Sequence, residues 1–183
     1  MNPKVSVFIA TSLDGFIARK DGTLDWLDAA NANVPDGEDC GYQAFIETVD
    51  VLVMGRNTYE KVMTFGSWPY GNLPVVVLSR NPTTLSPPPA DTVTYSDEMP
   101  KALCDRLSRE GINHIYLDGG TTIQRFLSAG LVDELLITVI PILLGDGKPL
   151  FGQLPRDTAL TCLNTKRFEF GFVQMHYRVE KDS

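Results

Sequence analysis

Four short apolar runs, each breaking off into a turn that carries a glycine or an arginine, constrain this chain more than any other feature. They are KVSVFIAT (4–11) before Ser12-Leu13-Asp14-Gly15, VLVM (51–54) before Gly55-Arg56, VVVLS (75–79) before Arg80, and HIYL (114–117) before Asp118-Gly119-Gly120. Continuous apolar runs of this length, rich in β-branched residues, are what strands covered on both faces need. Between them lie segments of helical spacing: Tyr42, Phe45, Ile46 and Val49 over 39–48, then 58–63, then 100–110 with Pro100 in the first turn, then 121–129 closed by Gly130. The last third adds strand-like segments at 131–142, 160–166 and 172–179 without helices between them. The pattern predicts an α/β fold whose central sheet is mostly parallel, with antiparallel strands at the C-terminal end.

The length, 183 residues, predicts a single domain over 1–183. The net charge of -7 argues against a nucleic-acid or anionic-membrane partner, so an anionic ligand has to be captured by local donors. The N-terminus enters the first strand without the basic and apolar regions of a signal peptide, and no apolar run approaches a bilayer span. Cys40, Cys104 and Cys162 are odd in number and widely spaced, which predicts reduced thiols, no metal site and a cytoplasmic protein. Four prolines within 81–92 mark the stretch that looks least ordered.

The strand ends carry the chemistry. In IYLDGGTTIQR (115–125) a buried strand runs into paired glycines and then a helix start. Glycines admit close approach to the backbone, and the free N–H groups of a helix N-terminus suit a phosphate. Gly55-Arg56-Asn57-Thr58 repeats the design with a guanidinium added, and Ser79-Arg80 brings a hydroxyl and a second guanidinium. In a parallel sheet these ends meet at one edge, where open α/β sheets bind ligands. Taken singly, the glycine pair is a tight turn, each arginine a solvated surface residue, Asp14 a turn former, Trp26 a core residue and Asp39 a helix cap. Neither His114 nor His176 has neighbours in sequence that suggest a triad or a metal centre.

The three motifs SLDGFIA (12–18), VMGRNTYE (53–60) and LDGGTTIQRFLSAGLVDELLITVIPILLGDGKPLF (117–151) stand in register, and together the chain resembles the dihydrofolate reductase superfamily. The resemblance is strongest to stand-alone proteins similar to the reductase domain of riboflavin biosynthesis. It implies a three-layer α/β/α domain and NADPH as hydride donor, bound without a Rossmann fingerprint. By residue, it implies that Ala10 and Ile17 flank the nicotinamide. Gly55, Arg56, Asn57 and Thr58 then meet the pyrophosphate and the 2′-phosphate, with Leu78, Ser79 and Arg80 at the adenosine end. Gly119, Gly120, Thr121 and Thr122 form a second phosphate loop. Arg56 and Arg80 favour NADPH over NADH, since an unphosphorylated ribose needs no such charge.

On the substrate side the resemblance implies a small heterocycle, pyrimidine- or pterin-like, related to 5-amino-6-(5-phosphoribosylamino)uracil. Asp39 matches the acidic residue of dihydrofolate reductases and is the first candidate for proton delivery, with Thr138 as its support and Asp118 as the second candidate. Ser12 and Asp14 match a substrate loop, and Trp26 and Phe45 supply an apolar wall. Departures are plain: Leu73 stands near the place of the folate-tail arginine, and 55–71 lacks the Asp-Asp-Pro motif of riboflavin reductases. The alternatives are activity on a pterin or folate, and an NADPH-binding domain without turnover. Relatives of this type are often homodimers, for which 131–144 and 168–177 offer an apolar surface.

Overall fold

The computed structural model describes residues 2–181. Its main sheet has eight strands, β1 (Lys4–Ser12), β3 (Val51–Gly55), β4 (Val75–Leu78), β5 (Val93–Ser96), β6 (His114–Asp118), β7 (Glu134–Ile140), β9 (Leu160–Arg167) and β10 (Val173–Val179), in the order β5-β4-β3-β6-β1-β7-β10-β9. Strands β5 to β7 in that order are parallel throughout, while β10 runs antiparallel to β7 and β9 antiparallel to β10. A two-stranded ribbon, β2 (Phe16–Ala18) with β8 (Lys148–Pro149), stands apart.

Period-two alternation explains why the runs are apolar without interruption. Val51 and Val53 of β3, Val76 and Leu78 of β4, and Ile115 and Leu117 of β6 face one apolar layer with Leu103, Leu107, Ile123 and Phe126 from helices α4 (Pro100–Arg109) and α5 (Gly120–Ser128). Leu52, Met54, Val75, Val77 and Tyr116 face the other layer, with Phe45 of α2 (Tyr42–Ile46) and Tyr59 of α3 (Arg56–Met63). This is the expected three-layer arrangement. Helix α1 (Asp25–Asn31) buries Trp26 in a third cluster with Ile140, Phe168 and Phe172.

Several boundaries differ from expectation for local reasons. The helix expected over 39–48 is shorter, because Cys40 and Gly41 adopt positive φ and the helix starts only at Tyr42. Helix α3 starts at Arg56, two residues earlier than its spacing suggests, because it needs no linker after β3. The proline-rich stretch is ordered by α3: the Tyr59 hydroxyl donates to the Ser86 carbonyl at 2.9 Å, and Glu60 accepts from the Ser86 N–H at 3.0 Å and its hydroxyl at 2.7 Å. Tyr59→Phe removes the first anchor, and we expect a loss of about 1 kcal/mol, read as a melting-point drop of roughly 2–4 °C. Of the apolar segments expected to pair copies of the chain, Leu135, Ile137, Ile140, Phe168 and Phe172 are buried within it, whereas Leu143 and Val173 remain exposed.

Candidate active site

Because β1, β3, β4 and β6 are parallel and adjacent, Ala10, Gly55, Leu78 and Asp118 emerge at one edge of the sheet. A cleft of about 1320 Å³ runs along that edge. Pockets for drug-sized ligands run to roughly 300–1,000 Å³, so this larger cleft has room for a dinucleotide with a second molecule beside it.

Its phosphate-like end is built from two helix starts. Helix α3 follows β3 directly and α5 follows Gly119, and neither N-terminus has a side-chain cap. The first-turn N–H groups therefore lack the acceptors that capping supplies, and they open on the cleft with their share of the helix dipole. The two turns are interlocked. A Cβ on Gly55 would fall 2.6 Å from Thr122 Oγ1, and one on Gly119 would strike Thr58 Oγ1. Gly119 also holds φ +95°, where only glycine is at ease. The glycines thus serve the packing of each turn against the other's threonine, a demand that the sequence alone had presented as room for a ligand. Arg56 and Arg80 are exposed along this wall, and among the described residues neither guanidinium is held in an ion pair. Ser79 is buried, with its hydroxyl accepting the Asn81 N–H at 3.2 Å.

Asp118 lies at the floor. Its Oδ1 accepts the Gly119 N–H at 2.8 Å, yet burial dominates and pushes the carboxyl up to about 6. Around it stand Phe8, Tyr42, Tyr70 and Tyr116, all lining the cleft. Burial raises all three phenols, with Asp118 adding to each. These tyrosines escaped the sequence reading. Tyr116 alone left a trace, since it stands two residues before Asp118 on one strand and so shares its face. Tyr42 was legible only as part of a helix's apolar face, and Tyr70 comes from an irregular segment where no period marks a direction.

All the residues expected to hold the cofactor line this one cleft: Ala10, Ile17, Gly55, Arg56, Asn57, Thr58, Leu78, Ser79, Arg80, Gly119, Gly120, Thr121 and Thr122. The expected substrate side needs correction. Asp39 is exposed and outside the cleft, its two oxygens accepting the N–H groups of Gly41 and Gln43 at 2.8 Å, which hold the carboxyl below its usual range. It caps the start of α2. Thr138 does not support Asp39 but accepts from Gln174 Nε2 at 3.0 Å, and Gln174 also donates to the Cys40 carbonyl at 2.8 Å. Ser12 donates to Asp14 at 2.6 Å, and Asp14 accepts the N–H groups of Leu144 and Gly145, so this pair ties two loops together away from the cleft. Trp26 is in the third apolar cluster, and Phe45 backs Tyr116 at 5.1 Å from behind. His114 is within 2.8 Å of the Ser6 hydroxyl, but Ser6 is fully buried and His114 opens β6 at the end opposite Asp118. Among the described residues no group of His, Cys, Asp and Glu is suited to a metal ion, and no helix is long and apolar enough to cross a membrane.

Residues 3–173 match the RibD C-terminal domain family. The chain belongs to that family. YwjB of Bacillus subtilis, an uncharacterized protein, is 38% identical over 180 residues, spanning 97% of this chain and 98% of its own. A crystal structure from Shewanella sp. PV-4, of a protein assigned by name to riboflavin biosynthesis, superposes with a TM-score of 0.89 at 42% identity, covering 99% of this chain and 100% of that one. The Thermotoga maritima diaminohydroxyphosphoribosylaminopyrimidine deaminase/5-amino-6-(5-phosphoribosylamino)uracil reductase superposes with a TM-score of 0.70 at 16% identity. It covers 97% of this chain and 56% of that one, and at this identity it shows a shared fold alone. As in other RibD C-terminal domains, the fold is of the dihydrofolate reductase type.

Proposed function

We propose that this RibD-type domain is an NADPH-dependent reductase that delivers a hydride to a small planar heterocycle. The observation that carries the proposal is the polarity of this cleft. Two helix N-termini without side-chain caps and two guanidiniums unpaired among the described residues occupy one end, and a carboxyl that burial pushes up to about 6 lies on the floor. The donors suit a pyrophosphate and a 2′-phosphate, and the uncapped N–H groups and unpaired arginines are the fit a phosphorylated dinucleotide requires.

In this site the first turns of α3 and α5 hold the pyrophosphate, while Arg56 and Arg80 bind the 2′-phosphate. Ala10 and Ile17 form an apolar wall against which a flat ring lies. When bound, NADPH supplies the hydride at its nicotinamide ring. Asp118 is the proton donor: its raised affinity for a proton keeps a usable protonated fraction around neutral pH, which is what a general acid needs. Tyr42, Tyr116 and Phe8 exclude water from that floor.

Arg80→Gln tests the cofactor assignment. Loss of a charged hydrogen bond of about 1.5–3 kcal/mol should weaken NADPH binding roughly 10- to 100-fold and leave NADH binding unchanged, as followed by fluorescence titration. Equal affinities for NADPH and NADH in the unsubstituted protein would sink the assignment. Turnover is tested by NADPH oxidation with a panel of pyrimidines and pterins; tight cofactor binding without oxidation would make the chain a binding domain instead.

A further inference from the structure

The cleft changes character along its length. Arg56 and Arg80 stand at the ends of β3 and β4, and Lys20 on the loop after β2 is paired with Asp146. The floor, by contrast, is aromatic. Tyr42 meets Phe8 edge-on with ring centroids 5.6 Å apart and Tyr116 at 6.5 Å, and Tyr70 is braced edge-on by Trp68 at 5.1 Å. No lysine or arginine forms an ion pair or hydrogen bond with Asp118 or these phenols among the described residues; Lys61, Arg125 and Lys148 also line the cleft, without such a contact.

The hydrogen-bonding groups of the floor are unequally satisfied. Tyr116 donates to the Phe8 carbonyl at 3.1 Å and is thereby occupied. The hydroxyls of Tyr42 and Tyr70 have no partner among the described residues. Nor are they sealed: among the described residues the buried unpartnered side-chain atoms are Trp26 Nε1, Trp68 Nε1 and Thr92 Oγ1. Both hydroxyls therefore face open cleft beside Asp118, whose Oδ2 is likewise without a partner. An anionic group brought here would lose its hydration next to a carboxyl with no cation to offset the loss, at a cost of several kcal/mol. A neutral ring edge with N–H and carbonyl groups would instead satisfy all three.

We propose, resting on the reductase reading, that Tyr42, Tyr70 and Asp118 together recognise the edge of an uncharged planar heterocycle with adjacent N–H and carbonyl groups and no phosphate or carboxylate. The substrate class thus differs from the phosphoribosyl compound named for the Thermotoga maritima enzyme. Tyr42 and Tyr70 act as substrate-positioning residues, donating to ring carbonyls or accepting from ring N–H groups.

The test is calorimetric titration of the NADPH-saturated protein with 5-amino-6-(5-phosphoribosylamino)uracil and with the same compound stripped of its phosphate. The dephosphorylated compound is expected to bind at least as tightly, and Tyr70→Phe to weaken it about ten-fold, the value of one hydrogen bond. Tyr42→Phe should act in the same direction, and thermal melts of both variants verify that they remain folded. A ten-fold preference for the phosphorylated compound overturns the proposal, as does failure of both to bind, or an affinity indifferent to both substitutions. Failure of the reductase reading looks different: the neutral ring binds with the expected tyrosine dependence, but NADPH absorbance does not decay.

Discussion

Asp118→Asn should cut turnover by a factor of roughly 10²–10⁴, the contribution of a positioned proton donor, while making the folded protein more stable at pH 8. The two effects have one origin. Burial raises the carboxyl from 3.8 to about 6 in the folded state, so between those values the folded chain binds a proton that the unfolded chain has released. Stability from this group is then complete below about pH 4 and falls as pH rises through the window to about 6. About two pH units correspond to roughly 3 kcal/mol. Asparagine keeps an oxygen for the Gly119 N–H and never ionises, so the variant escapes that loss. Its melting point should exceed that of the unsubstituted protein by several degrees at pH 8 and match it below about pH 4. A variant that melts lower at pH 8, or one that retains full turnover, would remove Asp118 from the proposed role. In the unsubstituted protein kcat/KM should decline above about pH 6 as the proposed donor loses its proton, and this limb should vanish in the variant.

Gly119→Ala should be the most damaging single change of backbone. Alanine has to adopt φ +95°, and its methyl meets the Thr58 hydroxyl. Strain of about 1–3 kcal/mol and overpacking of about 1–3 kcal/mol act together, which in a chain of this size lowers the melting point by roughly 10 °C. NADPH affinity should fall with it, since the N–H groups that open α5 are displaced. Combining the change with Thr58→Ala separates the causes: the methyl gains space, the backbone strain persists, and only part of the melting point returns. Full recovery would show that the conformation of Gly119 carries no cost.

How much of this was readable from residues alone differed by element. The central strands were legible because burial on both faces forces an unbroken apolar run, as in Val51–Met54 and Val75–Leu78. The phosphate-like wall was legible because parallel strands deliver their ends to one edge, and Arg56, Arg80 and the glycine pair are marked by local sequence. The opposite side of the cleft was not. By resemblance Asp39 was the first candidate for proton delivery, but its simpler reading as a helix cap is what the structure shows, with both oxygens taken by the N–H groups of Gly41 and Gln43. Trp26 and Phe45 looked like a wall and became core, while Tyr42 reached the cleft from a helix whose spacing marked only an apolar face, and Tyr70 from an irregular segment. What a loop places in space depends on how its ends are held, and those contacts lie far away in sequence.

The position of β1 bears on how the protein is made. Strand β1 precedes the other strands of the sheet in the chain yet lies in its interior, with Lys4 opposite His114 and Ser6 opposite Glu134. Until β6 and β7 have been synthesised, it has neither neighbour, and β3, β4 and β5 can assemble only with one another. Closure therefore waits for more than a hundred intervening residues, the kind of distant pairing that slows folding. During that interval KVSVFIATS is an unpaired apolar edge, so the growing chain is open to chaperones and to association at β1.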